Sequence, residues 1–513
     1  MKKIGGEVGK VYFPTICIMN SEKKEYFKDS IKNKNIAVIG LGKSNLPLIN
    51  FLLKFTDKIT AFDKLDKDNI KDIVESLSKK GVSFSLGENY LENLKGFDII
   101  YKTPGMHPQV SFLKKEEEMG AVITSEMELF FELCPAKIFG ITGSDGKTTT
   151  TSIIYNILKE EGYNCYLGGN IGRPLIEDLE KIKEDDMVVV ELSSFQLLTM
   201  KQSPHVSVIT NITPNHLDVH TSMQEYIEAK MNIFIKPLAI NSNKRHIVLN
   251  YDNAITNSFG KNEDECFAKE CESYNKFLET VEEDEFLFFS TRQNLESGIL
   301  LDKNWIYLVK DEKITPVLDI NDICIPGIHN VENYMAAIGA VKEYVSLDSV
   351  RKVAKTFNGV EHRIEYVDNI NGVSFFNDSI ASSPVRTIAG LRSFEQKVVL
   401  IAGGCDKKLD YMGLGFEMLD SVKNLILVGQ TTDKILSSFE IAKKASGRGD
   451  DIGVFVETEF ESAIMKAFEI SEQNDIVLLS PASTSFDLFK NFEERGTVFK
   501  QIVNDLKKSI IKT

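Results

Sequence analysis

Short apolar runs that stop at a glycine or an acid, each followed by a helical pattern, recur along this chain and restart twice. The first series holds KNIAVIG at residues 34–40, KITAFD ending at Asp63 and GFDIIYKTPG, with the helix-like NLPLINFLLKF after the first run. Such alternation of strand and helix builds a parallel sheet with helices on its faces, so the fold class is α/β. Pro135 in ELCPAKIFGITG interrupts the pattern, and KIFGIT, MVVVEL, HVSVIT and HIVLN restart it. A third series, VSFFND, KVVLIAGG, NLILVG, GVFVE and DIVLLS, follows FNGVEHR. The length of 513 residues exceeds one core, at roughly 150 residues per domain. Three α/β domains are expected, at residues 31–135, 136–357 and 358–513. Residues 1–30 read as a flexible extension, and 262–316, richer in charge and aromatics, as a small antiparallel part.

The net charge of −15 argues against a polynucleotide partner, because nucleic-acid binders present a basic face. No apolar run approaches the ~18 residues of a membrane helix, so no membrane insertion is expected. The seven cysteines are scattered and odd in number. That usage points to a reduced, cytoplasmic protein.

Residues 139–151, FGITGSDGKTTTT, carry the strongest chemical signal. Gly143 and Gly146 let backbone N–H groups turn inward between an apolar strand and a helical stretch. The helix start adds partial positive charge, Lys147 can reach terminal phosphates, and the Thr148 hydroxyl can ligate Mg²⁺. The standard phosphate loop has a glycine where Ile141 stands, so by itself this stretch reads as a damaged nucleotide site, a coincidence of small residues or a different kind of ATP loop. Glu191 ends the apolar MVVVE run, at the sheet edge where α/β folds bind ligands, and reads as a metal ligand. HLDVH, with His216 and His220, has a zinc-like spacing without an evident third ligand. In the first domain, Gly40, Gly42 and Ser44 form a glycine turn with Asp63 about 20 residues on; Asn45 stands where a dinucleotide fingerprint would continue, which disfavours NAD.

The loop TGSDGKTTT resembles the ATP loop of the Mur ligase family, which joins a carboxylate to an amine at the expense of ATP. Further motifs follow in order: GGNIG (168–172), ELSSFQL (191–197), NITPNHLDVH (211–220), YIEAKMNIF (226–234), GIHNVENYMAA (327–337), EHRIE (361–365), FNDS (376–379) and SPASTSFDLFKNFEERG (480–496). Their order is similar to that of the branch adding D-glutamate to UDP-N-acetylmuramoyl-L-alanine.

This resemblance implies a Rossmann-like UDP-binding domain, a P-loop ATPase-like central domain and a Rossmann-like C-terminal domain. It implies ATP bound by Gly143, Ser144, Asp145, Gly146, Lys147, Thr148 and Thr149, by Asn330 and Asn333 near adenine, by Arg363 at the phosphates and by Asp378 at the ribose. Two Mg²⁺ ions would be held by Thr148, Glu191, His216 and Lys230, the last as a CO₂-derived carbamate; Lys147, Glu191, His216 and Lys230 would be catalytic. The UDP substrate would meet Gly40, Gly42, Ser44, Asp63, Thr103, Gly105, Asn170, Ser193 and Gln196. Ser382, Lys407, Ser485 and Phe492 would hold the incoming amino acid, although Ile380 stands where a lysine is frequent in the family. The implied enzyme is a cytoplasmic monomer acting on small molecules in peptidoglycan precursor synthesis. A lysine- or diaminopimelate-adding relative, a folyl ligase and a non-catalytic ATP- or UDP-sugar-binding regulator remain as alternative readings.

Overall fold

In the structure, a computed structural model of the chain, the described residues are 20–214, 220–239, 245–259, 266–281, 286–394, 396–407 and 409–511. They fall into two compact units: the described residues up to Leu318 with Glu332–Val350, and Asp319–Val331 with the described residues from Arg351 onward.

The first unit holds two sheets. In one, β1 (Ile36–Ile39), β2 (Ile59–Asp63), β3 (Ser83–Leu86), β4 (Ile99–Tyr101) and β5 (Val122–Thr124) run parallel in the order β3-β2-β1-β4-β5. All four residues of β1 are buried, as expected of a strand covered on both faces. The chain moves from β1 to one side and returns to the other, so the carboxyl end of β1 is the switch point where such sheets open a ligand crevice.

The expected flexible stretch 1–30 needs correction at its end. Asn20–Ile31 is a helix whose Phe27 and Ile31 are buried, with the Phe27 ring 5.6 Å from that of Phe55. Apolar packing anchors it to the first domain. Residues 1–19 lie outside the described residues.

The second sheet contains β6 (Lys137–Thr142), β7 (Cys165–Gly169), β8 (Met187–Glu191), β9 (Val206–Ile209), β10 (His246–Asn250), β11 (Phe286–Ser290), β12 (Gly298–Asp302), β13 (Trp305–Lys310) and β14 (Lys313–Asp319). Its order is β14-β13-β12-β11-β10-β9-β6-β8-β7. β6 lies between β8 and β9, which puts a second switch point at its carboxyl end, where the glycine loop begins. The 262–316 stretch is not a separate antiparallel part. β11 pairs parallel to both β10 and β12 and continues the central sheet; antiparallel pairing starts only between β12 and β13. The apolar residues of β11 pack on the central core, which overrides the local charge that made the segment look detached.

In the second unit, β15 (Glu365–Ile370), β16 (Val373–Asn377), β17 (Val398–Ala402), β18 (Val422–Val428), β19 (Gly453–Glu457) and β20 (Ile476–Leu479) form a sheet ordered β15-β16-β20-β17-β18-β19. β15 is antiparallel to β16 and the remaining pairs are parallel. Buried side chains line both faces of β17.

Candidate active site

The loop Gly143–Gly146 leaves β6 and enters the helix Lys147–Glu161. Gly146, before the first helical residue, has φ of 76°, and a Cβ there would collide with Asn333 Oδ1. Only glycine satisfies both constraints. The segment after β9 straps the loop down: Ser144 N donates to Asn211 O at 2.9 Å and Asp145 N to Asn211 Oδ1 at 2.9 Å. Thr150 Oγ1 donates to Asn333 Oδ1 at 3.1 Å, so Asn333 braces the helix start. The loop residues expected at the phosphates, Gly143 to Thr149, are thereby gathered at one helix N-terminus, where backbone N–H groups and the dipole favour anions.

Lys147 Nζ folds back over the loop, donating to Gly143 O at 2.9 Å and Ser144 O at 2.8 Å. Beneath it, Lys230 Nζ donates to Gly143 O at 2.7 Å from the helix Met223–Ile235 and lies 4.7 Å from the centre of the Tyr226 ring. Lys230 is only 2% exposed. Burial pushes its pKa well below that of an ordinary lysine, and the Lys147 charge pushes the same way against Asp145 and Glu191.

Glu191, at the end of β8, is 1% exposed and uses both oxygens. Thr148 Oγ1 donates to Oε2 at 2.7 Å, and Asn170 Nδ2 to Oε1 at 2.7 Å. Two of the expected metal-binding groups, Thr148 and Glu191, thus touch. A hydroxyl beside a carboxylate fits Mg²⁺, a hard cation that takes oxygen ligands and retains waters. An amine does not, so Lys230 fits the ion only after conversion to an oxygen donor. His216 lies outside the described residues. His220 is buried, with its ring stacked on Phe195 and Nε2 2.9 Å from Ser194 Oγ.

A cavity of about 130 Å³ opens between the two sheets of this unit, lined by Lys43, Ser44 and Pro104 on one side and Gly169, Asn170, Pro174 and Gln196 on the other. Ser44, Asn170 and Gln196 were expected at the UDP substrate. Lys43 was missed, because a lysine in a glycine turn reads as a solvated charge. Gly40 has φ of 90°, and a Cβ on it would crowd the Thr103 side chain. Asp63 shapes this turn, accepting from Leu41 N at 2.6 Å and Leu65 N at 2.9 Å. Ser193 and Gln196 form a reciprocal helix cap, with the Ser193 N–H donating to Gln196 Oε1 at 2.9 Å. Gly42 and Gly105 are exposed at the loop surfaces.

In the second unit, Arg363 is exposed on a turn whose neighbours His362 and Ile364 have φ of 64° and 44°. A β-branched residue at positive φ is strained, and such strain concentrates at functional turns. Asp378 is buried, accepting from Ser480 Oγ at 2.8 Å and Ile364 N at 3.3 Å. Burial pushes its pKa up to about 7 despite those hydrogen bonds. Asn330, in the helix Ile328–Val341, donates from Nδ2 back to Pro326 O at 2.6 Å.

Lys407 Nζ lies 4.8 Å from the centre of the Phe486 ring, beside buried Ser485. Phe492 packs edge-on against His362, and its carbonyl accepts from Ser379 Oγ at 2.8 Å. Ser382 is half-buried in the turn after Asp378. Arg495, which no sequence signal marked, ties these segments together. It is 2% exposed and donates to Ser379 Oγ, Ser379 O and Ser483 O at 3.0, 2.9 and 3.1 Å. Burial lowers its pKa to about 10. In sequence, Arg495 looks like any charged residue on an exposed helix face.

Three family models match the chain: the Mur ligase MurD-like N-terminal domain over residues 34–125, the Mur ligase middle domain over 141–341, and the Mur ligase glutamate ligase domain over 362–483. The UDP-N-acetylmuramoylalanine--D-glutamate ligase of Acetivibrio thermocellus is 51% identical, covering 95% of this chain and 100% of its own. The ligase of that name from Ruminiclostridium cellulolyticum is 47% identical over the same shares. Among solved structures, a UDP-N-acetylmuramoyl-L-alanyl-D-glutamate--2,6-diaminopimelate ligase shares the fold at a TM-score of 0.51, with 17% identity over 88% of this chain and 92% of that one. With half its residues shared along nearly its whole length, and matching models in sequence order, the chain belongs to the Mur ligase family.

Proposed function

We propose that this protein ligates D-glutamate to UDP-N-acetylmuramoyl-L-alanine, consuming ATP and releasing ADP and phosphate, in peptidoglycan precursor synthesis. The observation that carries the chemistry is the convergence of Lys147, Lys230, Thr148 and Glu191 at the carboxyl ends of β6 and β8. The amino acid and acceptor are those named for relatives that are half identical over nearly the whole chain.

A carboxylate cannot expel oxide, whereas an acyl phosphate can expel phosphate. The acceptor's carboxylate oxygen attacks the γ-phosphorus and the bond to ADP breaks. The amine nitrogen of D-glutamate then attacks the acyl carbon, phosphate leaves, and the nitrogen sheds its proton. Both steps bring anions together, so electrostatic positioning is the main task of the site. The glycine loop cradles the phosphates with backbone N–H groups, and Lys147 neutralises them. Mg²⁺, when bound, screens the phosphate charge; Thr148 and Glu191 would hold it, with His216 completing the set by resemblance. Burial holds the Lys230 pKa well below an ordinary lysine's, which favours the neutral amine that reacts with CO₂, and we assign it the carbamate role.

The cavity at Ser44, Asn170 and Gln196 takes the UDP-sugar end, and Ser382, Lys407, Ser485 and Phe492 select the amino acid. Arg363 serves the ATP phosphates and Asp378 the ribose side. We place the reaction in the cytoplasm, carried out by a monomer. No helix among the described residues is long and apolar enough to cross a membrane.

The test is phosphate release with UDP-N-acetylmuramoyl-L-alanine and ATP, screening D-glutamate, L-glutamate, L-lysine and diaminopimelate. Release with D-glutamate alone is expected. Release with diaminopimelate or lysine instead would assign the chain to another branch, and binding without any release would make it a regulator.

A further inference from the structure

Two walls of the cavity come from different sheets: Pro104 follows β4, and Gln196 follows β8. A line of side chains joins them. His107 sits three residues beyond Pro104 in a tight turn, with Met106 N donating to Thr103 O at 3.1 Å and Val110 N to His107 O at 3.3 Å. Gln109 N donates to His107 Nδ1 at 3.1 Å. That acceptor role leaves the ring proton on Nε2, which lies 3.2 Å from Glu225 Oε1 and donates to it. Glu225 is itself fixed: its N donates to Ser222 Oγ at 3.1 Å, and its Oε2 accepts from Thr221 N at 2.8 Å. His220 Nδ1 is 3.5 Å from the same Oε2, a looser contact, and Nε2 reaches Ser194 Oγ at 2.9 Å. Ser194 opens the short helix that carries Gln196.

We propose that His107, Glu225, His220 and Ser194 form a brace that sets the width of this cavity, making His107 a positioning residue for the UDP-linked substrate. The inference rests on the proposed function for the identity of that ligand. His107 and Glu225 are 118 residues apart in sequence. Their side chains are only 17% and 23% exposed, so solvent screens the pair less than an open surface bridge. Glu225 also lies in the first turn of the helix that presents Lys230 five residues later, so one carboxylate refers the cavity wall to the buried amine. His107 touches none of the groups assigned to the phosphates, so its loss should act on substrate placement rather than on phosphoryl transfer.

The experiment compares the wild type with His107→Ala and His107→Gln, whose amide N–H can replace the Nε2 donor. Binding of UDP-N-acetylmuramoyl-L-alanine is measured by calorimetry and turnover by phosphate release, with thermal melts to confirm folding. His107→Ala should raise Kd and KM for that substrate about tenfold, the size of one lost charge-assisted hydrogen bond, and leave KM for ATP within twofold. His107→Gln should recover most of the loss. An unchanged Kd in folded His107→Ala, an equal rise for ATP, or no recovery in His107→Gln overturns the brace. Wild-type binding without turnover would sink the ligase reading while the Kd series still judges the brace; absence of wild-type binding would sink both.

Discussion

Lys147 and Lys230 donate to the same atom, the carbonyl oxygen of Gly143, at 2.9 and 2.7 Å. The pKa of the buried Lys230 is pushed down first by burial and then by the neighbouring Lys147 charge. Lys147 thus adds to the burial that holds the pKa of the Lys230 amine well below an ordinary lysine's.

Lys147→Ala is expected to abolish ADP and phosphate release while ¹⁵N NMR shows the Lys230 amine titrating at higher pH than in the wild type. Removing the neighbouring cation takes away one cause of the downward shift and leaves the attraction of Asp145 and Glu191. Near-normal turnover would refute the phosphate role, and an unmoved Lys230 titration would refute the coupling.

Lys230→Ala should be inactive and partly restored by small carboxylates such as acetate, which can occupy the space of a carbamate. Lys230→Met should be inactive yet more stable at neutral pH, by about 1–2 kcal/mol, because a buried amine is replaced by an apolar chain of similar length. The sign follows from linkage: the folded-state pKa is depressed, so the unfolded chain binds more protons between that value and 10.5. The wild-type stability contribution of Lys230 therefore improves as pH rises through that window, and Lys230→Met lacks this slope. Urea titrations at neutral and alkaline pH read both effects.

Gly146→Ala should raise KM for ATP at least tenfold and lower stability by about 1–2 kcal/mol, because alanine at φ of 76° is strained and its Cβ meets Asn333. Adding Asn333→Ala relieves the collision but not the backbone strain, so the double variant should recover only part of the stability. Full recovery would show that φ costs nothing at this position.

Burial raises the Asp378 carboxyl from its ordinary value near 3.8 to about 7 in the folded protein. The folded state binds the extra proton in that window, so its stability contribution is present at low pH and lost as pH rises toward neutral. Asp378→Asn should flatten this decline, by an amount on the order of 1–3 kcal/mol between pH 4 and 8. Parallel urea curves for the two proteins across that range would contradict the buried, raised carboxyl.

The sequence by itself determined the α/β class, the strands that carry the glycine loop and Glu191, and the place of that loop at a helix start. Each is encoded locally, by apolar runs of strand length and by glycines next to a helix start. Lys230 shows the limit of local reading: within YIEAKMNIF it looks like a solvated helix residue, and only resemblance to a family raised it. Tertiary structure buried it under Gly143 and so moved its proton affinity. The attachment of β11 to the central sheet, the packing of Asn20–Ile31, the burial of Arg495 and the pairing of His107 with Glu225 were likewise decided in three dimensions. Each depends on partners far away along the chain, and no short window of sequence contains both halves of such a contact.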